Sequence, residues 1–177
     1  MSALYISPTK FGKGLFSNRK FKKNEKICPV YGPLVRQSEL PSEMYEEADR
    51  YVQIGLDLYI GPSYDFDDYI NHSCDPNGGL VVNGNVAYLK AVRDINKGEE
   101  ITFDYSTTLN EDRWEMDCDC DTPLCRKRVR DFKHLPDLIR QKYIDLGVVP
   151  IYNLIYAPEY CPIEYAYHEV RPLVPAR

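Results

Sequence analysis

The sequence predicts a mainly β protein of the α+β class, with one helix near its C-terminal end. Short stretches of alternating apolar and polar residues dominate the chain up to Tyr105, a pattern typical of strands buried on one face. Turn-forming Gly, Pro, Asn and Ser residues separate these stretches, and no helical pattern alternates with them as it would in a parallel α/β sheet. The clearest helical pattern comes only at Leu135–Gly147.

The N-terminal segment predicts short strands joined by turns, beginning with Leu4–Ile6 and followed by Ile27–Gly32. Between them lies Gly12-Lys13-Gly14, whose two glycines allow positive φ angles or a close approach of the backbone to a ligand. A tight turn is the more common reason for such a pair, and the third glycine of a dinucleotide-binding motif is missing.

The chain continues as strands and turns up to the C-terminal helix. The predicted elements are a short helix over Glu43–Ala48 with Ser42 as its N-cap, a hairpin over Tyr51–Ile60, a turn at Gly78-Gly79, strands over Leu80–Val82 and Val86–Val92 around a turn at Asn83–Asn85, and a strand over Glu100–Tyr105. Pro136 at its first turn and Gly147 at its end favour the C-terminal helix. For residues 148–177 the sequence favours neither a packed nor a loose conformation.

The charge and hydropathy of the chain argue against several classes of partner. With 22 Lys and Arg against 27 Asp and Glu, the net charge is −5, which does not favour nonspecific binding to nucleic-acid phosphates. No apolar run approaches the roughly 18 residues of a membrane helix, and the N-terminus lacks the pattern of a signal peptide. We therefore expect an intracellular protein without direct contact to nucleic acid or membrane. Composition does not distinguish the cytoplasm from the nucleus.

Three of the six cysteines, Cys118, Cys120 and Cys125, lie within eight residues. In a reducing compartment this spacing indicates a metal site rather than disulfides. A structural zinc site needs four ligands and favours thiolates, so one ligand must come from elsewhere. The candidates are Cys28, Cys74, Cys161, His72, His134 and His168. Cys74 is attractive because it lies in the compact segment Asn71–Asn77.

With these segments in view, the chain resembles the SET-domain protein lysine methyltransferases, with a SET domain and a post-SET segment. The sequence NHSCDPN at Asn71–Asn77 resembles that family's central motif, and GEEITFDY at Gly98–Tyr105 resembles its catalytic motif. The sequence CDCDTPLC at Cys118–Cys125 resembles its zinc segment, and Gly12–Gly14 falls where the family has its cofactor-binding turn. The resemblance covers roughly residues 4–130.

The resemblance implies a β-clip fold of several small sheets with a threaded pseudoknot, in which the segment after Tyr105 passes the central motif. It implies a SET domain over residues 1–110, a zinc-bound post-SET segment over 111–131, and a C-terminal helix with a Pro- and Tyr-rich tail over 132–177. Three positions depart from the family pattern: the family often has Arg at Tyr69 and commonly has Gly at Asp121 and Lys127.

The resemblance also implies S-adenosylmethionine as methyl donor, zinc as structural metal, and a lysine-containing protein as partner, with a histone tail as one candidate. The residues that it points to are Gly12, Lys13, Gly14, Leu15, Asn71 and His72 around the cofactor; Tyr105 as the catalytic residue, which also meets the cofactor; Tyr31, Tyr51 and Phe103 along the lysine channel; and Cys74, Cys118, Cys120 and Cys125 on zinc.

Methyl transfer to lysine needs residues of these kinds. A lysine ammonium has no lone pair, and its deprotonation at pH 7 costs about 4.6 kcal/mol from a pKa near 10.4. Aromatic walls disfavour the charged form, and the Tyr105 hydroxyl can orient the neutral amine. Phe103 lacks a hydroxyl that would crowd the amine, so we expect di- or trimethylation to be allowed.

The sequence leaves two other functions open. A catalytically silent SET domain would keep the fold and the zinc and would act as a peptide- or protein-binding module. A small zinc-binding interaction module would act through its tail, residues 148–177. The intact Tyr105 and Asn71-His72 favour the enzyme over the silent domain.

Overall fold

The computed structural model describes residues 2–41 and 50–155. Over these residues the chain is mostly strand, arranged in four small sheets with few helices, which confirms the predicted fold class. The predicted helix over Glu43–Ala48 and the tail beyond Ile155 lie outside the described residues.

The strands and helices have the following bounds. The strands are β1 (Leu4–Thr9), β2 (Gly12–Ser17), β3 (Lys26–Val30), β4 (Leu34–Val35), β5 (Val52–Gly55), β6 (Leu58–Ile60), β7 (Asn71–His72), β8 (Gly78–Asn83), β9 (Val86–Ala91), β10 (Glu100–Phe103), β11 (Met116–Asp117) and β12 (Arg128–Val129). The α-helices are α1 (Asp137–Asp145) and α2 (Ile151–Ile155). Short 3-10 helices cover Gln37–Glu39, Phe66–Tyr69, Tyr105–Thr107 and Phe132–His134.

A four-stranded sheet brings distant parts of the chain together in the order β1-β2-β10-β7. Strand β10 is antiparallel to β2 and parallel to β7, with Thr102 opposite Asn71 and Phe103 opposite His72. The central and catalytic motifs are therefore direct neighbours, as the threaded arrangement requires. The other sheets have the orders β3-β9-β8, β4-β6-β5 and β11-β12.

Two predicted local features agree with the structure at the level of single residues. Asn83 pairs with Val86, which leaves a two-residue turn in which Gly84 has a φ of +57°. Helix α1 begins directly after Pro136, and Gly147 follows its end with a φ of +61°. Local turn chemistry was enough to predict both.

The turn predicted at Gly78-Gly79 is wrong, because both glycines lie inside β8. A Cβ atom on Gly78 would lie 2.9 Å from the carbonyl oxygen of Thr102, and one on Gly79 would lie 2.4 Å from Val148 Cγ1. The glycines are needed here because β10 and the segment after α1 pack directly against the backbone of the strand.

The main core lies between the sheets, and a second cluster lies under α1. The largest side chains of the main core at 0% exposure are Leu15, Phe21, Leu89, Ile95 and Ile101. The second cluster contains Val92, Phe132, Leu135, Tyr143 and Val148. Helix α1 has nine residues, which is too short for stability in isolation, so packing on this cluster must hold it.

The short helix α2 was not predicted, and two of its side chains attach it to the domain. The Tyr152 hydroxyl lies 2.7 Å from the carbonyl oxygen of Thr108 and 2.9 Å from that of Gln53. The Asn153 amide donates to the carbonyl oxygen of Thr107 at 2.9 Å. The tail therefore packs on the domain at least as far as α2.

Among the described residues, no helix has the length and apolar character that crossing a membrane would require.

Candidate active site and cysteine cluster

Strand β10 and residues 70–72 form a wall that lines two cavities. The larger one, of about 600 Å³, is called the aromatic cavity here and is lined in part by Tyr51, Ile70, Phe103, Tyr105 and Trp114. The other, of about 500 Å³, is called the polar cavity and is lined in part by Thr9, Lys10, Phe11, Asn71, His72 and Glu100. Successive residues face different cavities: Ile70 lines the first and Asn71 the second.

Tyr105 lies at this shared wall and is held from several directions. Its hydroxyl donates a hydrogen bond to the carbonyl oxygen of Ile70 at 2.9 Å. Its backbone N–H donates to His72 Nδ1 at 3.2 Å. Its ring centroid lies 4.8 Å from that of Phe103 and 6.2 Å from that of Trp114. The Tyr105 side chain therefore has a defined position at the wall of the aromatic cavity.

The structure brings two of the three predicted channel residues, Tyr51 and Phe103, together with Tyr105. It does not place Tyr31 among the residues that line this cavity. Tyr31 is 43% exposed, and its hydroxyl donates to the Asp65 carboxylate at 2.6 Å, which raises the pKa of Tyr31 to about 12. The hydroxyl of Tyr31 is thus bonded to an exposed acidic side chain, while its backbone N–H donates to Asp67 at the edge of the cavity at 3.1 Å.

Sequence reasoning missed Trp114 as a residue of the aromatic cavity. It lies in the polar segment between the catalytic motif and the cysteines, where no local pattern assigns it a contact. The available signal was that it is the one Trp of the chain in a segment otherwise poor in apolar residues. A large exposed aromatic residue at such a position is unusual unless it packs on something.

The Asn71 side chain forms hydrogen bonds to β2, the strand that contains Gly12 and Gly14, and to β10. Its amide donates to the carbonyl oxygen of Lys13 at 3.1 Å and to Glu100 Oε1 at 2.8 Å. A Cβ atom on Gly14 would lie 2.4 Å from Glu100 Oε1 and 3.0 Å from the Asn71 amide nitrogen. A side chain at position 14 would therefore displace Glu100 and Thr9, whereas Gly12, with a φ of +102°, serves the backbone bend before it.

The segment Gly12–Leu15 belongs to β2, and residues on either side of it line the polar cavity. Leu15 is completely buried in the main core, so its side chain does not face the cavity. Lys10 and Phe11, in the turn before β2, contribute side chains to the cavity instead. Phe11 is 52% exposed, and Lys10 Nζ lies 4.8 Å from the centroid of its ring. These two residues were not predicted from the sequence, although they directly precede the glycine pair.

The sulfur atoms of Cys74, Cys118, Cys120 and Cys125 all lie within 4.8 Å of one another. Cys118 Sγ is 3.8 Å from both Cys74 Sγ and Cys125 Sγ. Four thiolates arranged tetrahedrally around zinc, with Zn–S bonds of about 2.3 Å, are about 3.8 Å apart. The cluster therefore has the dimensions of a four-thiolate zinc site, and these residues fit the metal that the sequence predicts.

Among the described residues, none of the other candidates for the fourth ligand is a member of this cluster. Cys28 belongs to the main core, and the His134 ring is 3.7 Å from the Asp112 carboxylate. Cys161 and His168 lie outside the described residues. His72 contacts the cluster without being one of its four members, because its Nε2 lies 3.3 Å from Cys74 Sγ.

Two departures from the family pattern fall at left-handed backbone positions of the cysteine segment. Asp121 has a φ of +57° and Lys127 a φ of +64°. A residue other than glycine costs about 1–2 kcal/mol in this conformation, which explains why glycine is common there. The loop closes nevertheless: Cys118 N–H donates to the carbonyl oxygen of Lys127 at 2.9 Å, and Asp121 pairs with Lys10 at the polar cavity.

The carboxylate of Asp104, directly before Tyr105, is buried and joins three segments of the chain. It accepts hydrogen bonds from the Arg126 guanidinium and from the Tyr143 hydroxyl, both at 2.8 Å. It also accepts one from the Ser106 backbone N–H at 3.1 Å. A buried carboxylate needs such partners to offset its loss of hydration. The network ties β10, the cysteine segment and α1 together.

The chain matches a family model and several known proteins. A model described as the SET domain matches residues 12–106. A variant-silencing SET domain-containing protein of Plasmodium falciparum is 36% identical over 132 residues, which is 66% of this chain and 5% of that protein. Histone-lysine N-methyltransferase mes-4 of Caenorhabditis elegans is 29% identical over 140 residues, which is 64% of this chain and 15% of that protein. The chain therefore spans only a small part of these relatives.

A solved structure supports the fold. Kryptonite, crystallised in complex with mCHG DNA and SAH, superimposes with a TM-score of 0.59 at 22% sequence identity. The superposition covers 72% of this chain and 29% of the Kryptonite chain. The likeness shows that the arrangement of small sheets is one that SET-domain proteins adopt.

The network around Asp104 predicts that Arg126→Met is strongly destabilising. The substitution leaves the buried carboxylate without its charge partner, and we expect the free energy of unfolding to fall by about 3–5 kcal/mol in urea titrations followed by circular dichroism. Arg128→Met is the matched control, because Arg128 is 59% exposed and pairs with Glu115 at the surface. A surface pair contributes about 0–1 kcal/mol. Equal losses for the two variants would contradict the assigned role of Arg126.

Proposed function

This chain belongs to the SET-domain family, and on that premise we propose that it is an enzyme, a protein-lysine N-methyltransferase that uses S-adenosylmethionine. The observation that carries the proposal is the position of Tyr105. Its side chain lines the aromatic cavity, and its backbone N–H bonds to His72, which lines the polar cavity. A residue at this wall can act on a nucleophile in one cavity and on a donor in the other.

The aromatic cavity has the properties that a lysine side chain needs. The rings of Tyr51, Phe103 and Trp114 can pack along the lysine methylenes and reduce access of water. Where these rings enclose the amine, they disfavour the ammonium form and so lower the cost of generating the neutral amine. The carboxylates of Asp67, Asp68 and Glu111 also line the cavity and can attract the lysine ammonium to it. The Tyr105 hydroxyl, held by the Ile70 carbonyl, can keep the amine lone pair directed toward the polar cavity.

The polar cavity has the properties that the methyl donor needs. S-adenosylmethionine supplies an electrophilic methyl group on a sulfonium. Lys10 and Glu100 offer opposite charges for an amino-acid end, and the exposed ring of Phe11 offers a stacking face for a purine. We assign Gly12, Lys13, Gly14, Leu15, Asn71 and His72 to this site as well, all of them except Asn71 through their backbone.

We propose that the four-cysteine cluster holds a structural zinc ion. The dimensions of the cluster support this assignment, because all four sulfur atoms lie within 4.8 Å of one another, as ligands of one ion would. We propose the same division of the chain as from the sequence, with a SET domain over residues 1–110, a post-SET segment over 111–131 and a C-terminal part over 132–177.

We propose a lysine of a protein as the methyl acceptor, with a histone tail as the first candidate. The name of the Caenorhabditis elegans relative supports this choice. If the substrate is a histone, the nucleus is the compartment in which to look for this protein. The alternative, a silent SET domain that binds peptides, is distinguished from the enzyme by the first experiment below.

Tyr105→Phe should reduce methyl transfer by about 10²–10³-fold and leave donor affinity within a few fold, because it removes one preorganised hydroxyl at the reacting centre. Transfer of labelled methyl groups to histones and to a cell extract measures the first quantity, and calorimetry with the donor measures the second. Tyr88→Phe on β9 is the matched control, because that ring lies over Lys26 outside both cavities. A wild-type protein that binds the donor but methylates no lysine would establish the silent domain instead.

Phe103→Tyr should shift the products toward monomethyl-lysine. The added hydroxyl would enter the aromatic cavity next to Tyr105, whose ring centroid is 4.8 Å away, and would crowd a methylated amine. Mass spectrometry of the methylated peptide measures the distribution of products. An unchanged distribution would remove Phe103 from this role.

Wild-type protein should contain about one zinc ion per chain, as a tetrahedral four-thiolate site requires. Cys118→Ser should lose the metal and much of its thermal stability, because structural zinc contributes directly to folding. Cys28→Ser is the matched control: Cys28 is a buried cysteine of the main core outside the cluster. Elemental analysis by mass spectrometry gives the zinc content, and equal content in the two variants would refute the assignment.

A further inference from the structure

We propose that His72 is a positioning residue that couples the cysteine cluster to Tyr105, with Nε2–H donating to the sulfur of Cys74 and Nδ1 accepting the backbone N–H of Tyr105. This inference rests on the proposed zinc site and deepens it. It assigns the imidazole a task that is separate from cofactor binding. The His72 side chain is only 2% exposed, so contacts to a cofactor are left to its backbone.

The first step is the tautomer of the imidazole. The backbone N–H of Tyr105 points at His72 Nδ1 at 3.2 Å, so Nδ1 must offer a lone pair. A neutral imidazole carries one N–H, which is then on Nε2. Asp104 does not compete for Nδ1: its nearest oxygen is 3.6 Å away and accepts from Arg126 and from the Ser106 N–H.

The second step is the acceptor that this tautomer meets. Nε2 lies 3.3 Å from Cys74 Sγ, within the range of an N–H to sulfur hydrogen bond. The backbone N–H of Arg126 donates to the same sulfur at 3.4 Å. Two donors directed at one sulfur stabilise a thiolate, and outer hydrogen bonds of this kind orient the ligands of a metal site. Cys74 is thus the ligand that the central motif holds in place.

The third step is the rigidity of the connection. His72 belongs to β7 and pairs with Phe103 of β10. Its ring packs edge-on against the ring of Tyr105, with centroids 5.3 Å apart. A buried ring that is bonded at both nitrogens cannot turn without breaking one bond. A displacement of the Cys74 sulfur therefore displaces Tyr105. In this way the metal would affect the position of Tyr105 without contacting the lysine or the methyl donor.

Two substitutions of His72 test its hydrogen bond to Cys74 and its hydrogen bond to Tyr105 separately. The amide of Asn is short and reaches only the level of Nδ1, so His72→Asn keeps an acceptor for Tyr105 and loses the donor to Cys74. The amide of Gln reaches the level of Nε2, so His72→Gln keeps a donor for Cys74 and loses the acceptor for Tyr105. The matched controls are His134→Asn and His134→Gln, because His134 is partly exposed and faces Asp112.

Zinc transfer to a chromogenic chelator and methyl transfer by the zinc-loaded protein are measured for all four variants. We expect His72→Asn to weaken zinc retention by about 10–100-fold, the usual effect of removing an outer-shell partner. We expect His72→Gln to retain zinc like the wild type and to lose turnover rather than donor affinity. Zinc retention in His72→Asn equal to that of the wild type would overturn the proposal.

A measurement on the wild type keeps the test valid if the His72 variants do not fold. The chain has 3 His residues, so nitrogen-15 NMR of the ring nitrogens can resolve each tautomer in zinc-loaded protein. The Nε2–H tautomer is expected for His72, and the Nδ1–H tautomer would overturn the proposal. A wild type that binds no zinc would refute the proposed zinc site itself, whereas bound zinc with the Nδ1–H tautomer would refute only this inference.

Discussion

The parallel pairing of β7 with β10 is the contact on which the candidate site depends. Strand β7 has only two residues, so its own backbone hydrogen bonds are few. Asn77, which is 3% exposed, adds two more from its side chain: it donates to the Glu100 carbonyl oxygen at 2.7 Å and accepts from the Thr102 N–H at 3.0 Å. Each such bond contributes about 1 kcal/mol, and a buried amide left without its partners would cost more. These hydrogen bonds hold together the wall that lines both cavities.

The burial of Asp104 explains why the C-terminal part of the chain belongs to the same structural unit as the catalytic strand. A charge removed from water is tolerated only with close partners, and Asp104 takes Arg126 from the cysteine segment and Tyr143 from α1. The three segments are far apart in sequence, yet none of them satisfies the carboxylate alone. Their assembly is therefore cooperative, and the cysteine segment is placed relative to β10 by this charge as well as by Cys74.

Tyr105 shows how a candidate catalytic group is preorganised by neighbours of different origin. The Ile70 carbonyl holds its hydroxyl, and Phe103 and Trp114 pack on its ring. These contacts come from β10 itself, from the segment before β7 and from the segment before the cysteines. A side chain fixed in advance needs little reorganisation during a reaction, which is the main source of electrostatic catalysis.

The sequence by itself determined the fold class, the family, the hairpin turn at Asn83–Asn85, helix α1 and the cysteines of the cluster. These features depend on local turn chemistry, periodicity or short spacings, all of which can be counted along the chain. Only the tertiary structure decided that the Tyr31 hydroxyl bonds to Asp65, that Trp114 lines the aromatic cavity, and that Gly78 and Gly79 belong to a strand. Contacts of this kind join residues through space, and their energies depend on burial and on partners that no local pattern contains.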